Sequence, residues 1–124
     1  MEDIVNKPPL CLAFLGDSYW ALMVKEHFVL NSNCKINELH KKANSMICAS
    51  FQAKVFDLIK PTLNESEQDI ARRARNVPTT NVPKSASLEE YKKSTSLEAL
   101  IGYWFLVGDN EKCNNTFQRA LLIK

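Results

Sequence analysis

Two carboxylates stand in surroundings that do not suit a charge. Asp17 lies within Leu12-Ala13-Phe14-Leu15-Gly16-Asp17-Ser18-Tyr19-Trp20 and is the only charged residue between Lys7 and Lys25. Glu98 lies within Leu97-Glu98-Ala99-Leu100-Ile101-Gly102-Tyr103-Trp104-Phe105 and is the only one between Lys93 and Asp109. Both stretches would be apolar on most faces of a helix, so both acids are expected to be largely buried. A buried carboxylate is strongly unfavourable unless it is paired or binds a metal. Each acid alone reads as a hydrogen-bonded core residue or an arginine's partner, yet neither stretch supplies a basic neighbour. Each also has a glycine close by, Gly16 or Gly102, where a second backbone or a ligand can approach. Hard carboxylate oxygens suit Mg²⁺, which often uses one or two of them and completes its shell with water and phosphate. Such an ion could activate water and stabilise charge on a phosphodiester. From residue types alone, a metal-dependent nuclease and a pair of structural acids both remain open.

The elements that must carry these acids are helical. With 124 residues, one domain spanning 1–124 is the natural count. Three glycines are few for a sandwich or barrel. Pro8-Pro9 opens a helix expected over Leu10 to Leu30, which Asn31-Ser32-Asn33 breaks. A second helix is expected from Ile36 through Leu39, Ala43, Met46, Ile47, Phe51, Val55, Leu58 and Ile59 until Pro61, on spacings of three and four. Asn64 with Glu67 reads as a capping box for a third helix, with Ile70, Ala71 and Ala74 inward. A loop follows from Val77 to Ser85. Ser87 with Glu90 repeats the capping signal for a helix burying Leu97, Leu100, Ile101, Trp104, Phe105 and Val107. Gly108 stops it, and Asp109 caps a last helix that buries Phe117, Leu121 and Leu122. The reading is all-α, five or six helices and no strands.

Charge and cysteines set further bounds. Sixteen Lys and Arg against fourteen Asp and Glu give a net charge of +2, too weak to argue for nucleic acid without clustering. Six basic and two acidic residues between Arg72 and Lys93 give that stretch +4, leaving −2 for the remainder, so one face is expected to be basic. Cys11, Cys34, Cys48 and Cys113 have no C-x-x-C spacing, which fits buried or partly buried free thiols in a reducing compartment. The apolar run Leu10–Val24 is shorter than the ~20 residues a membrane span needs. Glu2 and Asp3 give it the wrong flank for a signal peptide. A cytoplasmic protein is expected.

At this point the motifs resemble a family. Phe14-Leu15-Gly16-Asp17-Ser18 resembles the core of the ribonuclease III signature helix, Glu-Phe-Leu-Gly-Asp-Ala or -Ser. Leu97-Glu98-Ala99-Leu100-Ile101-Gly102 resembles that family's second acidic motif, Phe-Glu-Ala-Leu-Ile-Gly. The order and separation also match. Where the family carries two further acids, this chain has Ala13 and Thr95, a reduced set that is similar to the Mini-III branch. Leu39-His40-Lys41, Arg72-Arg73-Ala74-Arg75-Asn76, Val82-Pro83-Lys84 and Tyr91-Lys92-Lys93-Ser94-Thr95 resemble that branch too, and Ala49 to Ala53 fits its Ala-x-x-Gln-Ala pattern loosely.

The resemblance implies an all-α ribonuclease III endonuclease bundle of five to seven helices and a homodimer formed about the signature helix. It implies Mg²⁺-dependent cleavage of double-stranded RNA, giving 5′-phosphate ends. In the family this matures the ends of the large-subunit (23S) ribosomal RNA precursor, with a large-subunit ribosomal protein as helper. Asp17 and Glu98 become the expected catalytic metal ligands. Arg72, Arg73, Arg75 and Lys84 become the expected phosphate contacts, since A-form duplex is read mainly through its backbone. Asn76 is expected either to hydrogen-bond RNA backbone or to stop its helix. His40 reads as a packed histidine, and Trp20, Tyr103 and Trp104 as core and interface. The end of the sequence at Lys124 leads to the expectation of no appended double-stranded-RNA-binding domain. The alternative from another class is a non-catalytic, ribonuclease III-like scaffold that binds ribosomal RNA.

Overall fold

A computed structural model describes residues 3–79 and 81–123. These residues form six α-helices and two short 3-10 turns, with no strand among them. The helices are α1 (Pro9–Asn31), α2 (Ile36–Ile47), α3 (Ala49–Ile59), α4 (Glu65–Arg75), α5 (Leu88–Leu106) and α6 (Asn110–Ala120). Helix α5 is the axis of the bundle. It packs most extensively on α1, then on α3 and α4, while α2 lies on α1 and α6 closes one end. No helix among the described residues is long and apolar enough to cross a membrane.

Local chemistry sets the helix ends. Proline at the first position of α1 lacks only an N–H that would have no partner there. Asn64 and Glu67 form the expected capping box of α4, both bonds at 2.9 Å, and Ser87 with Glu90 does the same for α5. Gly108, at φ +80°, ends α5 in a Schellman turn. Its N–H donates to the Phe105 carbonyl and that of Asp109 to the Trp104 carbonyl. The Asp109 carboxylate then accepts from the Lys112 N–H and starts α6.

The core joins α1, α3, α4, α5 and α6 through Leu12, Trp20, Val24, Val55, Ile70, Leu97, Leu100, Ile101 and Cys113, each essentially inaccessible, and buried Ala43 and Met46 bring α2 onto it. Burying each large apolar side chain contributes roughly 1.5–3 kcal/mol. Polar pins give it register. Buried Glu67 accepts from Trp104 Nε1 at 2.8 Å and from Lys112 Nζ at 2.5 Å, tying α4 to α5 and α6. Burial alone would raise its pKa, but the bonds from Lys112, the Asn64 N–H and Trp104 outweigh this and hold it below the usual range.

Several expectations need correction. The single helix over Ile36–Ile59 is two helices, because Cys48 is extended at ψ 154°. Trp20 Nε1 takes the Met46 carbonyl at 2.8 Å, so that acceptor is engaged across the core rather than along a continuous helix. The break lets α2 face α1 while α3 faces α5. Phe105, Val107 and Leu122 are exposed instead of buried, since each lies at or beyond the last turn of its helix. His40 is exposed rather than packed. All four cysteines are free, but Cys11 and Cys48 are exposed. Burial, then the nearby Asp109 charge, pushes the Cys113 thiol up to about 11. Trp20 and Trp104 are buried as expected.

Candidate active site

The two motif glycines explain why α1 and α5 meet where they do. A Cβ added to Gly16 would lie 1.7 Å from the Glu98 carbonyl oxygen, and one added to Gly102 would lie 2.0 Å from that of Leu12. The two backbones therefore touch, and no side chain fits between them. Asp17 follows one glycine and Glu98 precedes the other by one turn. The crossing brings two acids, distant in sequence, within hydrogen-bonding reach of each other.

Their electrostatics follow from that closeness. Glu98 is pushed up to about 9, first by burial, then by its hydrogen bond to Asp17 and by the Asp17 charge; Gln52 acts in the opposite sense. At neutral pH in the metal-free protein, Glu98 accordingly retains its proton, because two adjacent carboxylates resist ionising together. Asp17 was expected to be buried and is exposed. Its outward position opens the pair to solvent, and so to a large polyanion.

The pair fits a hard divalent cation by its oxygen chemistry. No cluster of three or more His, Cys, Asp or Glu suited to a metal occurs among the described residues. The two family acids that the sequence lacks are not replaced. Ala13 is buried, and the Thr95 hydroxyl donates into its own helix, to the Tyr91 carbonyl at 3.0 Å. An ion held here would complete its shell with water and phosphate, as Mg²⁺ commonly does.

The basic residues are not gathered at the acid pair. Arg72 and Arg75 line an open groove with Lys60, Gln68 and Ser96. Ser96 and Glu98 point about 200° apart on a helix turning about 100° per residue, so this groove lies across α5 from the acids. Arg72 pairs with Asp69, and Arg75 with Glu89 at 3.0 Å. Both are exposed pairs of the kind worth ~0–1 kcal/mol and readily exchanged. Arg73 differs. Its guanidinium holds Asp69 at 2.9 Å and donates to the Val5 and Lys7 carbonyls, clamping the N-terminal segment to α4. Asn76 is the C-cap of α4, with its N–H on the Arg72 carbonyl, and is exposed, as is Lys84.

Sequence reasoning gave no role to two residues on the acid side of α5. Lys92, with Leu10, Asn81, Tyr91 and Thr95, lines a small recess, and Tyr91 and Thr95 share the Glu98 face by helical spacing. Gln52 of α3 lies against Glu98 and is 2% exposed. Its signal was present as a polar residue in the inward row Gln52, Val55, Phe56, Ile59.

The Ribonuclease III domain family model matches residues 10–109, which include both acidic motifs. A Mini-ribonuclease 3 of Symbiobacterium thermophilum is 40% identical over 120 residues, covering 97% of this chain and 92% of that protein. One from Brevibacillus brevis is 39% identical over 126 residues, covering 98% and 94%. The crystal structure of a Fusobacterium nucleatum protein superposes with a TM-score of 0.88 at 31% identity, covering 98% of this chain and 97% of that one. The chain belongs to the ribonuclease III family, in its Mini-ribonuclease 3 branch.

Proposed function

We propose that the protein is a Mg²⁺-dependent endoribonuclease that cuts double-stranded RNA as a homodimer and matures the ends of the large-subunit (23S) ribosomal RNA precursor in the cytoplasm. The observation that carries this reading is the meeting of Asp17 and Glu98 across the glycine crossing of α1 and α5. Asp17 and Glu98 would hold the cation, Glu98 as its carboxylate, and the ion would supply Lewis acidity and a nucleophilic water at neutral pH. The chain's own residues do the positioning. The touching backbones fix the separation of the two acids, and the exposure of Asp17 leaves the pair open to a phosphodiester.

Arg72, Arg75, Asn76 and Lys84 contact phosphates beyond the scissile bond, the two arginines exchanging Asp69 and Glu89 for RNA. Arg73 serves by clamping the N-terminal segment. The surface of α1 supports the homodimer in this reading. Leu10, Phe14, Leu22 and Val29 are 51%, 81%, 60% and 62% exposed, a run of apolar side chains along the outward side of α1 beside Asp17. Such a surface on a helix that also buries its other side suits a self-complementary contact. A large-subunit ribosomal protein is the proposed helper, presenting the precursor rather than completing the site.

The test is cleavage of long double-stranded RNA and of a precursor ribosomal stem, with and without Mg²⁺. Wild-type protein cuts only with the metal and leaves 5′-phosphates. Asp17→Asn and Glu98→Gln each lose at least about 100-fold in rate, since even outer-shell partners of a metal site cost 10–100-fold. Tight RNA binding with no cutting under any condition would favour the non-catalytic scaffold instead.

A further inference from the structure

Gln52 occupies a position where an apolar residue would be simpler. It lies in the inward row of α3 and is buried, and its Nε2 has no hydrogen bond of regular geometry. A buried donor left unsatisfied costs about 1–3 kcal/mol, and folded proteins rarely tolerate one. A leucine or methionine of similar volume would fill the space without that cost. Local rules broken in this way cluster at functional sites. The amide lies against the Glu98 side chain, the inner member of the acid pair.

We propose that Gln52 is a positioning residue for the metal site, its Nε2 donating to the Glu98 carboxylate oxygen turned away from the cation. This rests on the reading of Asp17 and Glu98 as metal ligands. Carboxylate ligands are ordinarily held by such an outer hydrogen bond, which fixes which oxygen faces the ion. With only two acids in this site, the orientation of each governs a larger share of the affinity. An amide nitrogen cannot itself ligate a cation, so the contribution of Gln52 Nε2 passes through Glu98.

The experiment uses the whole chain with Gln52→Leu and Gln52→Met, which keep volume and remove the donor. Three quantities are read: Mn²⁺ affinity by calorimetry without RNA, thermal unfolding without metal, and the Mg²⁺ concentration for half-maximal cleavage. Mn²⁺ binding weakens by about 10–100-fold and the Mg²⁺ requirement rises in parallel, while the unfolding temperature holds or increases. A purely structural glutamine would give the reverse, a lower unfolding temperature with Mn²⁺ affinity within twofold of wild type, and that result overturns the role. Should the leucine variant fail to fold, the more adaptable methionine gives the reading. Wild-type protein that binds no Mn²⁺, or Asp17→Asn that binds it undiminished, overturns both the metal site and the role of Gln52. Wild-type binding matched by a folded Gln52 variant overturns the role of Gln52 alone.

Discussion

Glu98 concentrates the chemistry of the site in one proton. Its folded-state value of about 9 against an ordinary 4.5 means that the folded protein binds a proton that the unfolded chain has released. That proton stabilises the fold fully below about pH 4.5, and the contribution disappears as pH rises towards 9. Metal-free wild-type protein should therefore lose several degrees of unfolding temperature between mildly acidic and alkaline pH. Glu98→Gln, which has no proton to lose, should flatten that slope in a thermal-shift series run in chelator. A slope that survives the substitution unchanged would assign the pH dependence elsewhere. Cation binding must displace the same proton, so affinity for Mg²⁺ should rise over this range.

Between helices, the deciding feature is a contact of backbones. Gly16 and Gly102 let α1 and α5 touch, and a methyl at Gly16 would collide with a main-chain carbonyl that cannot rotate aside. Gly16→Ala should destabilise by the upper end of about 1–3 kcal/mol or more, measurable by urea unfolding. It should also reduce cleavage in the fraction that remains folded, because the acids are pushed apart. Much of this level was legible in the sequence. The capping boxes at Asn64 and Ser87, the stop at Gly108 and the start at Pro9 each depend on a few adjacent residues whose preferences are strong. The break at Cys48 was not, because the bond from Trp20 to the Met46 carbonyl that accompanies it is long-range and has no local signature. The acid pair was legible as an oddity of two charges in apolar runs. Its openness was not, because apolar neighbours such as Phe14 imply burial and yet lie on the surface. Gln52 stood in the sequence within the Ala49–Ala53 motif, but its place beside Glu98 depends on the packing of α3 on α5, which has no local signature.

Over the whole molecule, apolar and basic surface are segregated. Exposed apolar side chains run along α1 beside Asp17, while Arg72 and Arg75 line a groove across α5 from it. A duplex much broader than one helix can engage both regions, and a second copy on α1 would set two acid pairs near a common seam. Phe14→Asp should convert a dimer in sedimentation velocity to a monomer and lower cleavage without changing the far-ultraviolet helical signal. A monomeric wild-type protein would contradict the assembly. Arg72→Ala and Arg75→Ala should each weaken duplex binding and reduce its salt dependence by about one phosphate contact. All of this depends on two carboxylates sharing one cation. The most direct measurement is the anomalous scattering of a crystal soaked in Mn²⁺. A single strong peak should lie between Asp17 and Glu98, roughly 2.0–2.3 Å from an oxygen of each, as expected for a small divalent ion. A soaked crystal with no peak there, the two carboxyls still sharing their proton, would contradict it.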